Sequence, residues 1–369
     1  MRIAIFHANL NMGGGGEKWV MNVGNLLKKR GHDLRYFTNE YDPDLAIFKE
    51  FDREQIEIVK NSRGFQGKFR SFRELKLMMN VAKRIVKFNP ETIILSTDQH
   101  LARTLKKYCK KIIISYFHTM SPKTREKFLT RLYLAIPRLL GYQDYLSSDK
   151  LIANSLYTAN LVRTFYPNLN IEVIYPSVNS KEITPNFSYS HNLLCVGRIA
   201  PFKNQIFLLK ILPYLLEKHP NVRLVIAGYF DQQYMNYLEE MNKIIKNLRL
   251  EDNVEIRLNC PQTEIDSLMK DCSIFLSPSI NEFFGMVVLE AMAYGKCVIA
   301  HNSGGVREII TNESGFLLSG NSKDWALKMN MLLEDKNRLL NMGHSARKRA
   351  ECFTWEKTVN DLEKIMGSL

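Results

Sequence analysis

Ten short apolar runs, four to seven residues long, alternate along the chain with longer stretches of helical periodicity. They fall into two sets of five. The first set is IAIF (3–6), LRYFT (34–38), TIILS (92–96), KIIISYF (111–117) and KLIANS (150–155), with helical patterns such as 18–30 and 70–88 between them. The second is NLLCVG (192–197), VRLVIAG (222–228), VEIRL (254–258), SIFLSPS (273–279) and KCVIAH (296–301). Its helices are expected near 204–218, 231–249, 261–270, 285–294 and 323–333. Continuous apolar strands separated by helices are buried on both faces and pair in parallel. Two such sets predict two Rossmann-like, doubly wound parallel-sheet domains of the α/β class. The Pro-, Ser- and Asn-rich stretch YPSVNSKEITPNFSYSHN (175–192) is the expected boundary, giving domains over 1–180 and 190–352. FTWEKTVNDLEKIM (353–366) reads as one more amphipathic helix, and the segment 353–369 is expected to pack back on the first domain.

The 369 residues and a hydrophobic content of 45% suffice for two cores. The six cysteines (109, 195, 260, 272, 297, 352) are scattered without C-x-x-C spacing, which excludes a zinc or disulfide framework and suits a reducing cytoplasm. Residues 1–6 already read as a buried strand, so no signal peptide is expected. No apolar run reaches 18 residues, so no transmembrane helix is expected either. The net charge of +13 is confined to one half of the chain. Residues 1–188 hold 30 basic and 17 acidic residues, and the rest hold 21 of each. The first half therefore suits an anionic partner.

In parallel sheets ligands lie beyond the carboxyl ends of strands, so the loops that follow strands carry the candidates. With two such domains, the expected site is a cleft that both face. NMGGGGEKWV (11–20) places four glycines where a strand gives way to a helix. Free N–H groups and the helix dipole suit a phosphate there. Neither the P-loop pattern nor G-x-G-x-x-G is met, and a tight turn is the plain alternative. CVGRIAPFKN (195–204) sets Arg198 and Lys203 beyond a strand, a fork and a point charge suited to a diphosphate or to open solvent. SPSINEFFGMVVLEAMAYGKCVIAHNSGG (277–305) spaces Glu282 and Glu290 by seven residues around FFGM, which should open a helix with free N–H groups at 284–286. Carboxylates there suit paired sugar hydroxyls, or else a cap and a helix surface. His118, ending the strand in SYFHTM (115–120), suits catalysis or a structural role.

Taken together, these stretches make the whole chain resemble the retaining, nucleotide-sugar-dependent glycosyltransferases of family 4, with the two-domain GT-B architecture. The resemblance runs from residue 3 to about 305, and EFFGMVVLEAMAYG is its most specific part. FHANLNMGGGGEKWV and AHNSGG look most like the α-1,2-mannosyltransferases that extend dolichol-linked oligosaccharides from GDP-mannose. YFHTM followed by Ser121-Pro122 departs from their H-Y-P pattern. No counterpart of the membrane anchor of eukaryotic members is seen, which suggests a bacterial or archaeal role in glycan biosynthesis. The resemblance implies that Arg198 and Lys203 bind the donor diphosphate and stabilise it as a leaving group. It implies that Glu282 contacts sugar hydroxyls and Glu290 the ribose, and that the N–H groups of Phe284, Gly285 and Met286 hold sugar and phosphate. It also implies that Gly15 and Gly16 allow close approach to the diphosphate and that His118 lines the reaction centre.

The expected reaction is retaining transfer of a hexose, mannose favoured, from a nucleotide-diphosphate sugar. GDP-mannose is the favoured donor and a UDP-sugar the alternative. The leaving group is expected to be stabilised by side chains and helix N-termini, with no metal and no cofactor. The acceptor is expected to be a lipid-linked glycan, because residues 60–88 carry nine basic residues and one acid, interleaved with Phe65, Phe69 and Phe72. The stretch 125–146 is similarly mixed. Lys68, Phe69, Arg70 and Arg73 are the expected contacts to an anionic membrane, on the cytoplasmic face and without spanning it. Rival readings are a cytosolic transferase for a soluble sugar and, more distantly, a nucleotide-dependent oxidoreductase. The last lacks both the glycine fingerprint and an acid at 38–39, where Thr38 and Asn39 stand. No nucleic-acid motif is seen.

Overall fold

The computed structural model describes residues 1–11, 13–43, 52–60, 70–97, 101–118, 147–187 and 189–368, of which 70–75 are described by backbone alone. The chain forms two α/β units, one of Met1–Pro176 with Trp355–Leu369 and one of Ser177–Thr354. Among the described residues no helix is long and apolar enough to cross a membrane.

The first unit contains β1 (Arg2–Phe6), β2 (Asn9–Leu10), β3 (Asp33–Thr38), β4 (Glu40–Tyr41), β5 (Ile56–Ile58), β6 (Thr92–Leu95), β7 (Ile112–Phe117), β8 (Lys150–Ala153) and β9 (Ile171–Val173). Seven of them form a parallel sheet in the order β5-β3-β1-β6-β7-β8-β9, and β2 pairs with β4 beside it. Ile3 and Ile5 on β1 are fully buried although they share one face while Ala4, also buried, takes the other. This two-sided burial explains why the strands read as unbroken apolar runs. The Gly15–Lys29 helix is fixed to the sheet by Trp19, whose ring stacks on Tyr116 of β7 at 4.2 Å. The terminal helix Trp355–Gly367 packs on this helix, and its Glu363 pairs with Arg30 and with His32. Thr358 on the same helix donates to the carbonyl of Tyr175 at 2.8 Å.

The second unit contains β10 (Asn192–Val196), β11 (Arg223–Gly228), β12 (Val254–Leu258), β13 (Ile274–Ser277), β14 (Cys297–His301) and β15 (Gly315–Leu318), parallel and in the order β12-β11-β10-β13-β14-β15. Its core joins Leu193, Ile226, Ile274 and Ile299 of the sheet to Leu208, Leu212 and Trp325 of the helices. All ten strands expected from the apolar runs are present, with ends shifted by at most a few residues. The unexpected ones are short or marginal. β5 and β9 have three residues each, and β15 opens on a glycine. The Lys336–Ala350 helix was also unexpected, because its sequence KNRLLNMGHSARKRA is dominated by polar residues.

The units part between Pro176 and Ser177, inside the 175–192 stretch. Two cations of the second unit, Arg347 and Lys296, hold carbonyls of the connecting stretch. Arg347 donates to the carbonyls of Ser180 and Ile183, at 2.6 and 3.0 Å. Lys296, 1% exposed, donates to those of Asn186 and Lys270 at 2.6 and 2.7 Å. Burial holds the Lys296 ammonium below the ordinary lysine range.

Candidate functional site

Each sheet reverses its strand order at one place, between β1 and β6 in the first unit and between β10 and β13 in the second. In sheets of this kind that reversal opens a crevice at the carboxyl ends of the strands. The candidate residues fall into two groups, one at each reversal.

In the second unit, Arg198 and Lys203 lie in the loop after β10, and Glu282 lies in the loop after β13. Lys203 Nζ stands 2.5 Å from Glu282 Oε2, with both side chains about one-fifth exposed. The backbone of Glu282 is fixed as well, because its carbonyl accepts from Gly305 N–H at 2.7 Å and it forms a parallel bridge to Gly304. Arg198 and Lys203 flank a common ring: the guanidinium lies 6.0 Å and the ammonium 5.9 Å from the centre of Phe202. The guanidinium also lies 6.0 Å from the Tyr229 ring. Gln205, fully buried, accepts from Tyr237 and donates to the carbonyl of Arg198 at 2.8 Å, which holds the loop from below.

The helix after Glu282 is Met286–Ala293, capped by Gly285 at φ +103 with no side-chain cap. A Cβ at Gly285 would also stand 2.7 Å from Val306 Cγ1, so glycine is demanded by conformation and by space. The first N–H groups of an α-helix lack partners within the helix, so Met286 and the residues after it carry the donors of this turn. The helix opens at Met286, the last residue of the 284–286 window, and the Phe284 side chain is buried against Phe353. Glu290 sits on the fifth residue of the helix, half-buried.

In the first unit, His7, Ser96 and His118 follow β1, β6 and β7. Ser96 Oγ lies 3.0 Å from His7 Nδ1 and 2.7 Å from His118 Nε2. The His118 carbonyl accepts from Asn154 Nδ2 at 2.7 Å, and Asn154 Oδ1 accepts from Thr158 at 2.6 Å. Trp19 meets the His118 ring edge-on at 5.5 Å. Burial pushes His7 down to about 4, and burial with the neighbouring His7 pushes His118 down to about 3.

The glycine run answers to this cluster. Gly15 is the first residue of the Gly15–Lys29 helix, and a Cβ on Gly16 would stand 3.0 Å from His7 Cε1. Gly16 therefore lets the helix start lie against the two imidazoles. The buried carboxylate of Glu17 lies by Gly14, with Oε2 2.9 Å from where a Cβ would stand. A negative group already accompanies the first turn, the favourable end for it. His7, Ser96, Glu17 and Tyr229 were not singled out in the sequence. His7 had a usable signal, since it follows its strand just as His118 does.

Lys68 and Phe69, with Phe65 and the stretch 125–146, lie outside the described residues. Arg70 and Arg73 belong to the Arg70–Phe88 helix. Further along this helix Arg84 pairs with Glu57 at 3.3 Å.

Two family models match the chain: "Glycosyltransferase Family 4" over residues 13–182 and "Glycosyl transferases group 1" over 179–349. A D-inositol 3-phosphate glycosyltransferase of Streptomyces bingchenggensis is 29% identical over 241 residues, 60% of this chain and 53% of the relative. The GDP-Man:Man(3)GlcNAc(2)-PP-Dol α-1,2-mannosyltransferase of Dictyostelium discoideum is 26% identical over 247 residues, 62% of this chain and 49% of the relative. The match thus spans about half the length of these two relatives. Among solved structures, Anabaena Alr3699/HepE in complex with UDP and glucose superposes with a TM-score of 0.78 at 20% identity, covering 100% of both chains. That likeness is one of fold.

Proposed function

Because the chain belongs to the group 1/family 4 glycosyltransferases and has their GT-B fold, we propose that it moves a hexose, mannose favoured, from a nucleotide-diphosphate sugar to a lipid-linked saccharide, with retention at the anomeric carbon. The observation that carries this reading is the Lys203–Glu282 pair at 2.5 Å, at the strand-order reversal of the second sheet. An ammonium, a guanidinium and a helix N-terminus lie in adjoining loops there, which suits a diphosphate. A carboxylate next to them suits sugar hydroxyls.

Breaking the anomeric C–O bond loads charge on the leaving diphosphate, and stabilising that charge is the main catalytic task. Arg198 and Lys203 serve it as fixed cations, so the reaction needs no metal. Glu282 accepts from sugar hydroxyls and Glu290 from the ribose. The N–H groups around Phe284, Gly285 and Met286 hold phosphate and sugar, and Gly15 and Gly16 leave room for the donor. His118 meets the transferred sugar. The acceptor attacks from the face the diphosphate leaves, and a phosphate oxygen takes its proton. GDP-mannose is the favoured donor, in keeping with the Dictyostelium mannosyltransferase. A UDP-sugar is the alternative, in keeping with the bound UDP of the Anabaena protein.

The acceptor is held at an anionic membrane surface on its cytoplasmic side, without a spanning segment. The charge excess in residues 1–188 and the basic stretch 60–88 support this. A cytosolic transferase using a soluble sugar is the second reading, favoured by the pairing of Arg84 with Glu57 within the protein itself. A screen of GDP- and UDP-sugars against polyprenyl-linked and soluble acceptors, with EDTA present, tests both. Product mass identifies donor and acceptor, and the anomeric coupling reports retention. Inverted product, or a strict need for added Mg²⁺ or Mn²⁺, would contradict the mechanism.

A further inference from the structure

Ser96 is 1% exposed and its hydroxyl stands between two imidazoles, at the ends of the two strands flanking the order reversal and of their neighbour β7. A hydroxyl has one proton to donate and lone pairs to accept. The two distances differ in an informative way. Hydrogen bonds donated by a hydroxyl centre on about 2.7–2.8 Å, and those donated by N–H on about 2.9–3.0 Å. The 2.7 Å bond to His118 Nε2 and the 3.0 Å bond to His7 Nδ1 match that order. If both rings donated instead, the Ser96 proton would lose its partner in a buried place, at a cost of about 1–3 kcal/mol.

We propose that Ser96 and His7 are positioning residues that fix the tautomer of His118: His7 Nδ1–H donates to Ser96 Oγ, Ser96 O–H donates to His118 Nε2, and the His118 proton is thereby held on Nδ1. This rests on the reading above that His118 meets the transferred sugar. It adds that His118 does so as a neutral hydrogen-bond donor, not as a base. The surroundings fit a fixed ring. Asn154 holds the His118 backbone carbonyl, Tyr116 packs at 4.8 Å and Trp19 at 5.5 Å, and both aromatic residues are fully buried. Gly16 gives the relay its room, since a Cβ there would stand 3.0 Å from His7 Cε1 and 3.7 Å from His118 Cδ2. Burial also holds both rings uncharged around neutral pH, so each carries a single N–H whose place is meaningful.

The test is nitrogen NMR of the full-length protein labelled with 15N-histidine, combined with steady-state kinetics. The nitrogen readout is taken without substrate, so it does not depend on which sugar is transferred. In the wild type, Nδ1 of both His7 and His118 should carry the proton. In Ser96→Ala, His118 should pass to a mixture or to the Nε2–H form, and kcat should fall about tenfold or more with the donor KM little changed. His7→Phe should move the His118 nitrogens in the same direction, through the Ser96 hydroxyl that lies between the two rings. His118 nitrogen shifts unchanged in both variants would overturn the relay. So would altered shifts with kcat unaffected, because the tautomer would then have no bearing on transfer.

Discussion

Lys203 and Glu282, 79 residues apart in sequence, meet at 2.5 Å because β10 and β13 are neighbours in the sheet and each residue lies in the loop that follows its strand. Two charges that are each about four-fifths covered by protein depend on one another. Removing one should leave the other poorly solvated. Lys203→Ala and Glu282→Ala should each lower transfer by at least about tenfold. In a double-mutant cycle on thermal stability, the pair should show a coupling of about 1 kcal/mol, since both groups retain some solvent. Strict additivity would mean that the contact has no energetic weight.

The first-unit histidines give a pH signature. In the folded chain His7 titrates at about 4 and His118 at about 3, while in the unfolded chain both titrate near 6.5. Between those values the unfolded chain binds more protons, so acid favours unfolding. Their contribution to stability is full above pH 6.5 and is lost as the pH falls toward the folded values. The wild-type melting temperature should therefore drop between pH 7 and 5, before most carboxylates titrate. His7→Asn, which cannot take up the charge, should show a shallower drop in the same window. Parallel curves would show that His7 charges freely in the fold.

Gly16 separates crowding from simple turn chemistry. Gly16→Ala should press on His7, 3.0 Å from the new methyl, and lower kcat more than it lowers the melting temperature. Gly285→Ala should do both, because φ +103 disfavours any Cβ and Val306 Cγ1 blocks it at 2.7 Å. A Gly16→Ala variant with full activity and a reduced melting temperature would make that glycine a turn residue and nothing more.

Much of this was legible in the sequence, for physical reasons that differ from residue to residue. The parallel sheets could be read because strands covered on both faces, such as that of Ile3 and Ile5, must be apolar throughout. Glu282, Arg198 and Lys203 could be picked out as candidates because ligands in such sheets lie beyond the carboxyl ends of strands, and strands were easy to find. Ser96 and Glu17 could not. A serine at a strand end and an acid in a first helical turn are ordinary until the fold shows them buried. β5 escaped because three residues, Ile56–Ile58, carry too little periodicity to stand out from a loop.

The basic stretch makes a membrane prediction. Binding to phosphatidylglycerol vesicles should weaken with salt, since exposed charges are screened beyond roughly 10 Å at 0.1 M. Reversing Lys68, Arg70 and Arg73 to Glu should abolish co-sedimentation and slow transfer to a polyprenyl-linked acceptor, while a short soluble acceptor is used nearly as before. Phe69→Ser should weaken binding even in high salt, because apolar contact is not screened. A wild-type protein that stays in the supernatant at low salt would favour the soluble-acceptor reading.

The central claim is that Arg198 and Lys203 are the cations that receive a nucleotide diphosphate. Calorimetric titration of the wild type, Arg198→Ala and Lys203→Ala with GDP and UDP in the presence of EDTA tests it without any acceptor or turnover. The account predicts binding of at least one nucleotide by the wild type without metal, weakened about tenfold or more in each variant at unchanged fold, as expected for the loss of a charge-assisted bond worth roughly 1.5–3 kcal/mol. Equal affinity in all three proteins, or binding that appears only when a divalent cation is restored, would contradict it.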